Sequence, residues 1–251
     1  MYQTRERPDD GYRYIPAVFQ YSAGVAALPG FRIERARFAA PVPMAAGFAR
    51  IADYLRGIGR PLSAFCQCEL RSPGQFTEDG FRQFNLGYAK VLGEWGILSG
   101  SDNPVARSNV CPELTPPAEP GFHAFSYTVP DAGAAPSFVT AGSGESTEGK
   151  GSYEEQTIAL GDVSPAGLRR KASFVLGEME RRMQALGGSW AVATAAQVYT
   201  IHDIHPFLGD EIVQRGAARH GITWHHCRPP VVGLEYEMDV RGLPLERVIP
   251  G

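Results

Sequence analysis

Arg107 lies in the run Pro104-Val105-Ala106-Arg107-Ser108-Asn109-Val110. Breakers on either side, Pro104 and Pro112, mark this run as a short strand. A cation in mid-strand either reaches water at a sheet edge or faces a pocket. A guanidinium facing a pocket suits a planar carboxylate, because its rigid fork of donors meets both oxygens at once. A second chemical stretch is Leu234-Glu235-Tyr236-Glu237-Met238-Asp239, in which three acids alternate with apolar residues. Such alternation gives either a wet strand face or a row of carboxylates along a site. The run His202-Asp203-Ile204-His205 contains ligand types that zinc accepts. It also reads as a strand-to-helix junction capped by Asp203, and no HExxH or cysteine pair accompanies it, so no metal is expected. Gly142-Ser143-Gly144-Glu145 lacks the lysine and the helix start of a phosphate loop.

Composition sets the bounds. The 251 residues suffice for one large domain or two small ones, and 43% hydrophobic with 20% charged residues is ordinary for a globular protein. A net charge of -3 argues against a nucleic-acid partner. No apolar run is long enough for a membrane span, and Met1 to Asp10 has no signal-peptide core, so a cytoplasmic location is expected. Cys66, Cys68, Cys111 and Cys227 form no CxxC and are expected reduced and mostly buried. No cationic neighbour in sequence marks Cys66 or Cys68 as a nucleophile.

The elements that must position these residues follow a repeating order. Residues 1–13 read as a loose arm, Tyr14 to Ala27 as a strand, and Phe31 to Phe38 as a strand with one wet face. Phe48, Ile51, Ala52, Leu55 and Ile58 make Met44 to Ile58 an amphipathic helix ended by Gly59. Ala64 to Leu70 is a strand. Thr77 opens a second helix with the stripe Phe81, Phe84, Tyr88, Val91, Leu92 and Trp95. The Arg107 strand, a proline-rich loop and a strand from Phe122 to Val129 complete the set. After a linker at residues 131–136 the order returns. Phe138 to Gly142 is a strand, Thr147 to Gly151 a loop and Glu155 to Leu160 a strand. A helix over Pro165 to Leu186 is capped by Ser164, with proline at its first position. Trp190 to Ile201 is a strand, Pro206 to His220 a helix, and Ile222 to Cys227 and Leu234 to Val240 are the closing strands. Matched glycine stops and matched proline-rich loops make the halves, 1–130 and 131–251, one unit written twice.

That unit resembles the Rid (YjgF-like) family. The residues that carry the resemblance are Phe81, Phe84-Asn85 and Tyr88 on a helix, Ala106-Arg107-Ser108 on a strand, Tyr21-Ser22-Ala23-Gly24-Val25 on the first strand, Thr140 to Glu145 in the second half, and the alternating Glu235 of the last strand. The resemblance implies an α+β fold of two tandem Rid-like (chorismate mutase-like) units, each a mixed sheet with two helices packed on one face. It implies hydrolysis of an enamine or imine to a carbonyl and ammonia. The first half keeps the arginine and the second keeps the acid, as in a composite pocket. Arg107, Tyr21, Asn109 and Ser143 are the expected substrate contacts, with Arg107 clamping a carboxylate. Glu235 is the expected base that activates water. His123 or His220 is the expected acid. An unsaturated amino dicarboxylate such as a 2-aminomuconate is the expected substrate, with no cofactor. Rid units usually trimerise, so a homo-oligomer, most simply a trimer, is expected. Two rival readings are a chorismatase-like enzyme, which needs a second cation, and a non-catalytic small-metabolite binding module.

Overall fold

In Arg32-Ile33-Glu34-Arg35-Ala36 the side chains alternate between two faces, with Ile33 and Arg35 on one and Glu34 and Ala36 on the other, and the register of this long strand with a later one starts the core of the first half. The computed structural model describes residues 2–147 and 151–251. In the first half the strands are β1 (Arg5–Arg7), β2 (Tyr12–Ile15), β3 (Gly24–Ala27), β4 (Phe31–Pro43), β5 (Phe65–Arg71), β6 (Ala106–Pro112) and β7 (Gly121–Pro130). The helices α1 (Met44–Gly57) and α2 (Glu78–Glu94) flank β5 in sequence. In the second half come β8 (Phe138–Thr140), β9 (Ser143–Gly144), the short α3 (Tyr153–Gln156) and the long α4 (Pro165–Leu186). They are followed by β10 (Ala195–Tyr199), α5 (His205–Phe207), β11 (Thr223–His225), β12 (Cys227–Arg228), β13 (Glu237–Gly242) and β14 (Glu246–Ile249).

These strands form two mixed sheets. One has the order β1-β2-β3-β8-β13-β10-β11, with β9 also on β13, and the other β12-β6-β5-β7-β4-β14. Each sheet draws strands from both sides of residue 130. Strands β1 to β3 join the sheet of the second half, and β12 and β14 pair with β6 and β4 of the first.

Helices cover one face of each sheet. Phe48, Ile51 and Leu55 of α1 and Tyr88 and Leu92 of α2 pack on Phe65, Leu70, Phe122 and Phe125. Leu168, Val175, Leu176, Met179 and Met183 of α4 pack on Ala196, Val198, Met238 and Val240. Each such large side chain contributes about 1.5–3 kcal/mol on burial. The two uncovered faces meet. Val25 and Val139 touch the same cluster as Ile33, Cys66 and Ala106 from the other sheet. A polar layer continues this contact. Arg35 forms two bonds to Glu69 (2.6 and 2.9 Å), Gln197 reaches Asp239 (2.8 Å), and Ser108 donates to Asp239 across the sheets (2.7 Å).

The α+β class, the three long helices α1, α2 and α4, the caps of the last two and most strands agree with the sequence. Several local expectations do not. The expected N-terminal arm is ordered, because Tyr12 and Tyr14 alternate with Arg13 and bury on β3. The expected strand over 14–27 is a hairpin of β2 and β3. The expected strand over 155–160 is α3 and a turn, since Ser152 and Glu155 form a capping box there. Part of the expected loop Thr147 to Gly151 lies outside the described residues. The expected helix over 206–220 shrinks to α5 and a π-helical turn at Leu208–Val213. Gly216 stands in the left-handed region (φ 95°) and stops it. The second half therefore has one long helix on its sheet rather than two.

Candidate active site

One face of α2 and one strand end make the site's cationic wall. Phe81, Phe84, Asn85 and Tyr88 recur at helical spacing, so they share a face. That face closes on Arg107, which β6 holds beside β5 with Cys68 opposite it. The guanidinium carbon lies 4.9 Å from the Tyr88 ring centre, 5.6 Å from Phe81, 5.8 Å from Phe84 and 5.3 Å from Tyr21. These faces favour a cation while removing water from it. Arg107 is only 3% exposed. Its Nη2 donates to Asn85 Oδ1 at 2.6 Å, which fixes the fork. Its Nη1 has no hydrogen-bond partner among the described residues, and neither has Asn109 Nδ2. Asn109 is itself oriented by Ser72, whose hydroxyl donates to Asn109 Oδ1 at 2.9 Å. Buried donors in this state call for an acceptor.

The opposite wall is acidic. A cleft of about 430 Å³, counting its open mouth, is lined by Arg107, Asn109, Tyr21, Phe81, Tyr153 and Glu237, with Gly142, Gly144 and Leu234 among the remaining lining. Glu237 opens β13, pairs with Gly144 and Tyr199, and is 4% exposed. The Gly142 amide donates to the Arg107 carbonyl at 3.1 Å, so the glycine turn is tied to the arginine strand. A carboxyl at one wall and paired donors at the other can bind an anion and move a proton beside it.

Residues 4–247 match the family described as 2-aminomuconate deaminase CnbZ. The chain is 53% identical over 241 residues to a 2-amino-5-chloromuconate deaminase of Comamonas testosteroni, covering 95% of this chain and 96% of that protein. The chain belongs to the 2-aminomuconate deaminase (CnbZ) family. Membership makes it an enzyme acting on a C–N bond, as the sequence led us to expect. A crystal structure of a chorismatase superposes with a TM-score of 0.52 at 13% identity, over 95% of this chain and 78% of that one. That likeness concerns the fold alone.

Within this deaminase fold the residues expected from sequence separate. Arg107, Asn109 and Tyr21 line the cleft. Ser143 does not. It is buried on the α4 side, where its hydroxyl lies 3.4 Å from Arg182 Nη2. Glu235 is also outside the lining, with its carboxylate 2.8 Å from His202 Nε2 and 3.4 Å from Arg228 Nη1. The run 202–205 is used up in the same way, since His205 pairs with Asp203. Among the described residues no group of three possible ligands could hold a metal. His123 sits in the inter-sheet polar layer. Burial, with the charge of Arg71, pushes its pKa down to about 3, so near neutrality the ring is neutral and does not serve as an imidazolium acid. His220 is exposed beside Trp190 and Gly216. Burial pushes the Cys68 thiol up to about 12, and Cys111 likewise, with Glu237 nearby adding to the latter. Neither thiol is a nucleophile.

Sequence reading missed Glu237 as the cleft's acid, although it lay in the alternating acidic run. It also missed Asn85 as the arginine's anchor, although Asn85 lay in the helical pattern. Ser72 carried no signal, because its role depends on strand pairing alone.

Proposed function

We propose that this chain hydrolyses the enamine of an unsaturated 2-amino acid with a second carboxylate, of the 2-aminomuconate type, to the 2-keto acid and ammonia. The observation that carries this reading is the pair of unpartnered donors, Arg107 Nη1 and Asn109 Nδ2, in one cleft with Glu237. The carboxylate next to the amino-bearing carbon binds at Arg107 and Asn109. Protonated Glu237 gives its proton to the enamine carbon, forming an iminium. Its carboxylate then takes a proton from water as the water oxygen bonds to the iminium carbon. The same proton passes to nitrogen, the C–N bond breaks, and the hydroxyl proton returns to Glu237 as the carbonyl forms. One carboxyl thus serves each step, and atoms balance as enamine plus water giving ketone plus ammonia. The buried aromatic walls strengthen the charge contacts by excluding water.

The reading includes a tandem Rid-type origin. Two helix-backed sheets support it, with the arginine on one and the acid on the other. It also includes assembly of several chains, a trimer by likeness to Rid units, for which light scattering on the purified protein is the check. The central test is ammonia release from freshly generated 2-aminomuconate. Wild type should turn over. Arg107→Ala should lose substrate affinity and rate, and Glu237→Gln should lose rate with affinity retained. No ammonia from the wild type would sink the reading. Turnover of chorismate in its place would favour the chorismatase alternative.

A further inference from the structure

Helix α4 packs its apolar stripe on the sheet, yet Lys171 stands in that packed face with no exposure at all. Its Nζ lies 3.0 Å from Oε1 of Glu145, which is equally buried, and 3.1 Å from the Ile158 carbonyl. Burying an ion pair brings little net stability, because desolvation offsets the attraction. What this pair does is visible in its other bonds. Glu145 Oε1 also accepts from the Glu235 amide at 2.7 Å, and Oε2 from the Tyr236 amide at 3.1 Å. Both amides lie between Leu234 and Glu237, which line the cleft, and Glu145 itself lies between Gly144 and Ser146, which line it too. One carboxylate therefore ties the two backbone segments that flank Glu237. The Glu145 carbonyl is fixed as well, accepting from the Ile158 amide at 2.8 Å.

We propose that the Glu145–Lys171 pair is a positioning device that holds the backbone before Glu237, and hence its carboxyl, in line with the reacting carbon. This inference rests on the assignment of proton transfer to Glu237. Neither residue touches substrate. The segment Glu235-Tyr236 has no strand partner of its own among the described residues, since β13 begins at Glu237. Its two amides depend on the Glu145 carboxylate, and the carboxylate depends on Lys171 to stay ionised and aimed. Arg182, about three turns further along α4, plays a matching part on the facing segment, donating to the Ala141 carbonyl at 3.2 Å.

The test compares kcat and KM for ammonia release, together with the affinity for cis,cis-muconate, an analogue that lacks the amino group. Lys171→Met/Glu145→Gln removes the charges and keeps the volume. Glu145→Asp keeps the pair but draws the carboxylate back from the two amides. Both should lower kcat by roughly 10–100-fold, the cost of misplacing a reacting group by about 1 Å. KM and muconate affinity should stay within about twofold, because Arg107 and Asn109 sit on another strand. Lys171→Arg, which keeps a cation beside Glu145, should recover most of kcat. A variant that folds, with a lowered melting temperature but wild-type kcat, would make the pair a stability element and overturn the proposal. So would loss of the fold in both variants. Glu237→Gln run alongside separates the two levels. If it keeps full turnover, the reading of the active site fails. If it loses turnover while Glu145→Asp does not, only the positioning role fails.

Discussion

A β-carbon at Gly142 would lie 2.1 Å from Glu237 Oε1 and 3.2 Å from the Ser108 backbone. The carboxyl of Glu237 thus lies over a position that only glycine leaves open. Gly142 does not have a positive φ, so alanine is acceptable to the backbone there. Gly142→Ala should therefore fold and displace the carboxyl by about the depth of the overlap. Turnover of the aminomuconate substrate should fall by about 100-fold. The melting temperature should change far less than for a core truncation. Steady-state rates beside a thermal melt decide the matter, and an active Gly142→Ala would remove Glu237 from the reaction.

Arg107→Lys should behave as a loss of the site rather than a conservative change. Lysine keeps the charge among the four rings but cannot span Asn85 and a carboxylate together. The Asn85 carbonyl would lose its donor, a cost of about 1–3 kcal/mol for a buried acceptor. The expected result is a KM raised by at least about tenfold with the fold intact, read from rates across a substrate series. A KM equal to wild type would show that the arginine does not hold the substrate.

Glu235→Ala should leave kcat within about twofold of wild type. Its carboxylate holds His202 and Arg228 outside the cleft lining, and only its backbone amide reaches Glu145. The expected loss is in stability, about 1 kcal/mol for a half-buried charged pair. The same assay run on Glu237→Gln supplies the contrast, and equal rates for the two variants would contradict the geometry.

That contrast marks where the sequence was legible. Helical spacing put Phe81, Phe84, Asn85 and Tyr88 on one face, and breakers isolated the Arg107 strand, so the cationic wall could be read from local pattern. Caps at Thr77 and Ser164 fixed two helix starts for the same reason. The acidic wall could not be read this way. A period of two places Glu235, Glu237 and Asp239 on one face alike. Glu235 leaves that face because its amide turns to a carboxylate from another segment, and Asp239 goes to Ser108 on the other sheet. Both events depend on partners over 80 residues away in the chain. Exchange of β1 to β3, β12 and β14 between the sheets is non-local for the same reason. Lys171 was readable in principle as a charge inside the apolar stripe of α4, but the stripe alone does not reveal its partner.

The inter-sheet layer predicts an acid-labile fold. Burial opposes ionisation of Glu69, but the paired guanidinium of Arg35 outweighs it, with Arg241 helping, and the carboxyl sits well below its usual 4.5. A depressed carboxyl stabilises the fold above its unfolded pKa, and that contribution is lost as pH falls below about 4.5. The histidines act earlier. Burial, then Arg71, lowers His123 to about 3 and His225 to about 4 from 6.5, so both are neutral in the folded protein. The unfolded chain binds their protons below pH 6.5 and the folded chain does not, so stability drops from there downward. At pH 5 the loss is about 1–2 kcal/mol per ring after allowing for partial solvent access. Urea midpoints should therefore hold steady above about pH 7 and fall between 6.5 and 4, with a shallower fall in His123→Gln. Glu69→Gln should lose about 3–5 kcal/mol near neutral pH, as Arg35 is left without its counter-charge, and the gap to wild type should narrow in acid. A flat profile from pH 7 to 5 in the wild type would mean that these rings take up protons inside the fold, and the layer would then not be as dry as its geometry requires.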